Sequence, residues 1–127
     1  MTAAKQSRVL TRPEPGYYLV RLVPKGWPVG ARIVLTDGSY SATVDDVPVP
    51  GSWTEEELEA EAAEWLSRGQ LFDHPFLRVS LFGTPCTQTD YLHRLALKAW
   101  AKQHRPTHPA ANPEKPIDPR LLPADDF

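Results

Sequence analysis

The apolar positions of this chain change period several times, and each change marks a segment boundary. From Gly16 the run YYLVRLV is aromatic and β-branched, follows Pro15 and passes into KGWPVG, a stretch rich in turn residues. This predicts a strand and a loop. ARIVLTDGSYSATV then alternates around Asp37-Gly38, the pair favoured where a two-residue hairpin needs positive φ. If Thr36 faces Ser39, then Leu35, Ile33 and Ala31 lie opposite Tyr40, Ala42 and Val44 on one face. Val34 with Ser41 and Arg32 with Thr43 fall on the other, mostly polar face. That division predicts an antiparallel sheet covered on a single side. Asp45-Asp46 ends the strand, and VPVPG is extended because each proline fixes its own φ and biases its predecessor away from helix.

The period then shifts to that of a helix. In SWTEEEL, Thr54 and Glu57 have the spacing of a capping box, and Trp53 stands where a hydrophobic staple would reach Leu58. Leu58, Ala62, Trp65 and Leu66 share one helix face, and Gly69 after Arg68 supplies a left-handed stop. FLRVSLF, bounded by Pro75 and Gly83, reads as a fourth strand with Leu77, Val79 and Leu81 on one side. A second helix starts within TPCTQTD and ends by Pro106. Its apolar stripe, Leu92, Leu95, Ala96, Ala99 and Trp100, is expected to face the core. The predicted order is β-β-β-α-β-α, a small α+β fold with an antiparallel sheet of about four strands and two helices. A flexible N-terminus at 1–14 precedes a single domain at 15–105.

The last segment, 106–127, has a different logic. Pro106, Pro109, Pro113, Pro116, Pro119 and Pro123 keep helix and strand from establishing themselves, which leaves extended, polyproline-like backbone. Ala110-Ala111, Ile117, Leu121-Leu122 and Phe127 recur among them. This predicts an arm packed along the domain, with Ile117 and Leu121 or Leu122 largely buried and the stiff prolines lowering the entropy cost of docking.

Composition narrows the function. A chain of 127 residues with 41% hydrophobic content supports one modest core. A net charge of -2 does not give the overall basic footprint of a dedicated nucleic-acid binder. Cys86 is the sole cysteine, so neither an internal disulfide nor a cysteine-rich zinc knuckle can form, and a reducing cytoplasm suits the chain best. MTAAKQSRVLTRPEPG holds no apolar run of the kind a signal peptide or membrane helix needs, so no membrane association is expected.

Candidate chemistry is sparse. His104 and His108 stand four apart, a spacing that can hold zinc on one helix face, but Pro106 between them breaks the helix. With His74 and His93 distant in sequence, surface histidines are the simpler reading and no metal site is expected. Cys86 lacks a local nucleophile signature, and no glycine-rich phosphate loop surrounds Gly26 or Gly30. Neither a catalytic constellation nor a cofactor is expected.

Charge offers two surface candidates. The row TEEELEAEAAEW presents Glu56, Glu59 and Glu64, which can dock on a basic partner or simply suit a helix N-terminus and a solvated face. Arg94, Lys98 and Lys102 recur every four residues and Arg105 extends them. This stripe can track phosphates, or it can form a salt-bridged face opposite the acidic helix. Among the tryptophans, Trp65 and Trp100 read as core and Trp53 as the staple. Trp27 is left as a candidate partner contact.

GYYLVRLVPKGWPVGARIV and YLHRLALKAWAKQHRPTHPAANPEKPID together resemble a group of small uncharacterised proteins of proteobacterial phages and prophages. Those proteins carry an arginine-bearing strand near the start and an AWA…H…P..PAANP…P.D ending. The resemblance covers about half the chain, at both ends, while the middle from Asp45 to Thr89 departs from it. It implies a setting, the cytoplasm of an infected or lysogenic bacterium, and no reaction. The expectation is a non-enzymatic accessory protein that binds a host or phage protein. The alternative is a small nucleic-acid-binding module using the basic stripe.

Overall fold

The turn at Asp37-Gly38 organises the sheet. Both residues are left-handed, with φ of 51° and 80°, as a two-residue hairpin requires. The computed structural model describes residues 13–117. In it, β2 (Val29–Thr36) and β3 (Ser39–Val44) pair in the expected register, with Ile33 opposite Ala42 and Ala31 opposite Val44. Asp45 and Asp46 also have positive φ, 54° and 66°. They do more than end a strand: the chain reverses at once, and β4 (Val47–Pro48) returns along β3 with Val47 opposite Val44. Aspartate is among the few residues with a side chain that visit this region readily. On the other side β1 (Gly16–Val20) pairs with β2, and β5 (Thr84–Cys86) with β1, so the strand order is β4-β3-β2-β1-β5 and every pairing is antiparallel.

One face of this sheet carries the main core. Tyr18, Val20, Ala31, Ile33, Tyr40 and Ala42 cluster there with Leu58 and Ala62 of α1 (Glu55–Ser67) and with Phe76, Leu77 and Val79 of α2 (Pro75–Phe82). The fold is thus α+β. The capping box of α1 forms as the spacing predicts, Thr54 Oγ1 accepting from the Glu57 N–H and Glu57 Oε1 from the Thr54 N–H. Gly69, with φ of 67°, follows the C-cap. The buried stripe of α1 is narrower than predicted, because Leu66 is 61% exposed. Trp53 bridges to Tyr40 by two backbone hydrogen bonds of 2.7 and 3.0 Å, and its ring packs against Phe76 and His74.

Residues 76–82, expected as a strand, are helical instead. Pro75 opens α2 where its missing N–H costs nothing, and His74 Nδ1 accepts from the Leu77 N–H at 3.2 Å. Phe76 and Leu77 are both fully buried. A strand would send these neighbours to opposite faces, whereas one helix turn can sink both into the same core. A short apolar run between a proline and a glycine suits either element by composition, and packing makes the choice. The fifth strand is the Thr84–Cys86 segment just beyond.

The helix α3 (Gln88–His104) crosses the opposite face of the sheet, so the fold has three layers rather than a sheet covered on one side. After it the chain turns back. Ala110 and Ala111 lie in a short 3₁₀ turn and are buried with Ala101 against Trp27 and Leu97. Pro113 is fully buried, Pro116 bridges to Gly26, and the Ile117 N–H donates to the Lys25 carbonyl at 2.8 Å. The arm lies against the domain through residue 117, but it is not extended: turns and the 3₁₀ segment Pro109–Ala111 coil it back over Trp27, and Ile117, expected to be largely buried, is only half-buried. Leu121 and Leu122 lie outside the described residues, as does the N-terminus to residue 12; Pro13 is buried.

Ending the chain at Arg105 should uncover Ala101 and Trp27. The expected outcome is a loss of about 2–4 kcal/mol, seen as a lower urea midpoint with red-shifted tryptophan emission. An unchanged midpoint would show that the docked arm adds nothing to stability.

Candidate interaction surface

The rotation of α3 about its own axis decides what the protein shows to its surroundings. The first face of the sheet is filled by α1 and α2, which leaves α3 the face of Tyr17, Leu19 and Gly30. Tyr91, 8% exposed, lies over Gly30, where a Cβ would meet its ring carbon Cδ1 at 2.8 Å. Only a residue without a side chain allows this approach. The Tyr91 ring also meets Tyr17 at 5.0 Å between centroids. One turn on, the Arg94 guanidinium sits 5.8 Å over the Trp27 ring, Lys98 pairs with the Asp45 carboxylate, and Ala101 is fully buried by the returning arm. Positions 91, 94, 98 and 101 form one helix face, and it is the inner one.

The predicted apolar stripe is therefore turned outward. Leu92 is 53% exposed and Trp100 47%; Ala96 and Ala99 are exposed, and only Leu95 is half-buried. The sequence expectation that Trp100 and this stripe belong to the core is overturned for a physical reason. The second sheet face offers a bare glycine backbone, a tyrosine ring and an aspartate, which suit Tyr91, Arg94 and Lys98 better than leucine. The outward strip, Thr89, Leu92, His93, Ala96, Ala99, Trp100 and Gln103, has no Asp, Glu, Lys or Arg. His104 flanks Trp100, their rings 5.5 Å apart.

The residues singled out from sequence are dispersed by this arrangement. Arg94 and Lys98 are half-buried in the contacts just described, while Lys102 and Arg105 are exposed. Trp27 is half-buried beneath the arm, its ring edge-on to His108 at 5.1 Å. Glu56, Glu59 and Glu64 are exposed on α1, and Glu64 lies 3.7 Å from Arg68. α1 and α3 stand on opposite sides of the sheet, so the two charged helices do not form a shared salt-bridged face.

Among the described residues His74, which no motif distinguishes, is the most enclosed polar side chain. Only 3% exposed, it sits between the rings of Trp53 and Trp65, at 5.3 and 5.0 Å. Its Nδ1 caps α2, and Nε2 lies 3.7 Å from Glu61 Oε2, which accepts the Trp65 indole N–H at 2.9 Å. Burial pushes its pKa down; Glu61 opposes this, and Arg78 adds to it. A neutral imidazole with Nδ1 accepting is what the cap needs, so the role is structural. The Cys86 thiol is pushed up, chiefly by burial and then by Asp90, with Arg94 opposing; thiolate chemistry is disfavoured there. Among the described residues no three His, Cys, Asp or Glu side chains are grouped to hold a metal, and no helix is long and apolar enough to cross a membrane.

Comparison with protein-family models, curated proteins and solved structures finds no match to this chain. Its class rests on its own geometry: a three-layered α+β domain that presents a helix face without Asp, Glu, Lys or Arg on which Leu92 and Trp100 are exposed.

Two measurements test this arrangement. In a double-mutant cycle of Asp45→Asn with Lys98→Met, the half-buried pair should show a coupling of about 1–2 kcal/mol; a coupling near zero would mean that the pair does not hold α3. His74 gives a pH signature. Its folded pKa lies below the ordinary imidazole value of about 6.5, so the unfolded chain takes up the proton first as pH falls. The contribution is fully present above about pH 6.5 and is lost as pH falls from there through the folded value. His74→Asn keeps a capping acceptor without titrating. It should flatten the slope of stability against pH just below about 6.5, and an unaltered slope would assign that limb to another group.

Proposed function

We propose that this protein is a non-enzymatic accessory protein of a phage or prophage, working in the bacterial cytoplasm by binding other proteins. The observation that carries this reading is the outward face of α3. A stable fold has no internal use for Leu92 and Trp100 in water, and a contiguous exposed apolar strip is the usual mark of a contact surface. Tryptophan is also the residue most often found at the centre of such contacts. The acidic row of α1, with Glu56 and Glu59 exposed, supplies a second surface suited to a basic partner. The phage setting rests on the resemblance of the two ends of the chain.

The nucleic-acid alternative is weakened by the same rotation. With Arg94 and Lys98 turned inward, Lys102 and Arg105 remain from the stripe, and two cations give only a shallow, salt-sensitive affinity.

The test is capture of partners from a bacterial lysate with and without nuclease, alongside duplex and single-stranded probes at low salt. A nuclease-resistant protein partner, lost on Ala96→Glu or on Glu56→Lys with Glu59→Lys, is expected. Probe binding that falls steeply with salt, together with capture abolished by nuclease, would overturn the proposal in favour of nucleic acid.

A further inference from the structure

We infer that His74 is a proton-driven switch at the joint of α1 and α2: a proton on its imidazole exchanges the cap of α2 for an ion pair with Glu61 and opens the first turn of that helix. Both halves of the exchange are in place. Nδ1 accepts the Leu77 N–H at 3.2 Å, and a nitrogen that carries a proton can no longer accept it. The neutral ring is a cap; the cation is not. Nε2 stands 3.7 Å from Glu61 Oε2, beyond good hydrogen-bond length but near enough to close once the ring is charged. The rings of Trp53 and Trp65 flank the imidazole, and at 3% exposure it has little water to solvate a charge. A carboxylate is what so enclosed a cation needs.

The charges around the ring come from three elements. Glu61 faces it from α1 and favours the cation, Arg78 opposes the cation from α2, and Asp73 of the 3₁₀ turn Leu71–Asp73 faces Arg78 in turn. The stretch from Val49 to Thr54 that carries Trp53 has no charged side chain. Arg68 lies one ring further out, 4.9 Å over Trp65. Glu61 Oε2 also accepts the Trp65 indole N–H at 2.9 Å, so a carboxylate drawn toward the imidazolium disturbs that bond as well. The exchange is thereby felt on both helices. None of these groups belongs to the β1–β2 ladder, which serves as an internal reference.

Nuclear magnetic resonance of the full chain, titrated downward from about pH 7.5, tests this. The His74 ring signals should titrate below about pH 6.5, the ordinary imidazole value. With the same midpoint, the Leu77 amide should lose roughly 10-fold or more of its protection against hydrogen exchange, while the β1–β2 amides keep theirs. The Trp65 indole N–H signal should shift in step. In His74→Asn, which keeps an acceptor that does not titrate, Leu77 should stay protected throughout. In Glu61→Gln, which keeps an acceptor for Trp65 without the charge, His74 should titrate at lower pH and the Trp65 signal should not follow it. The unmodified chain and Glu61→Gln decide the matter even if His74→Asn fails to fold. Leu77 remaining protected while His74 titrates overturns the switch. So does a loss of protection that persists in His74→Asn, or one shared by the β1–β2 ladder, which is unfolding of the whole domain.

Discussion

The contact of Tyr91 with the bare backbone of Gly30 is the constraint on which the outer surface depends. A close-packed interior transmits a small steric difference to everything attached to it. Here the absent Cβ lets the edge of an aromatic ring close on the sheet backbone, and that fixes which side of α3 faces inward. Arg94, Lys98 and Ala101 follow from the helix period alone once Tyr91 is placed. Their partners, Trp27, Asp45 and the arm, come from three separate loops. One helix rotation thus decides at once which cations are withdrawn and which apolar side chains are displayed.

Division of labour between the two sheet faces explains why the helix can afford such a rotation. The face holding Ile33, Ala42 and Tyr18 is closed by Leu58, Phe76, Leu77 and Val79, and it carries most of the apolar burial that a chain of this size can assemble. α3 is held by different means: a ring on a backbone, a cation over an indole, an ion pair and the small cluster around Ala101. Polar and aromatic contacts of this kind are directional. They fix orientation closely while burying little hydrocarbon, so Leu92 and Trp100 stay exposed.

His74 and the proline arm show the same economy at two other joints. The imidazole caps α2 with one nitrogen and faces Glu61 with the other, tying α1 and α2 through two indole rings. The arm closes the open side of Trp27 with Ala110, Ala111 and Pro113, residues that lose little side-chain entropy when fixed. The surfaces of the described domain are set by how these elements are turned.

Local signals in the sequence determined the elements whose causes are themselves local. The Asp37-Gly38 hairpin and its register and the capping box at Thr54 were legible because turn chemistry and caps act over a few residues. The Pro75–Phe82 segment was not, since a short apolar run fits a strand or a helix until a core exists to receive Phe76 and Leu77 on the same side. The buried role of His74 depends on tryptophans from two other segments, which sequence spacing does not bring together. The rotation of α3 was hidden most completely. Its apolar stripe and its basic row are equally periodic, and periodicity says that a helix has two faces without saying which one the rest of the molecule will take. That decision needed a sheet whose better apolar face was already covered and whose other face offered a glycine, a tyrosine and an aspartate, an arrangement that exists only after residues far apart in the chain have been brought together.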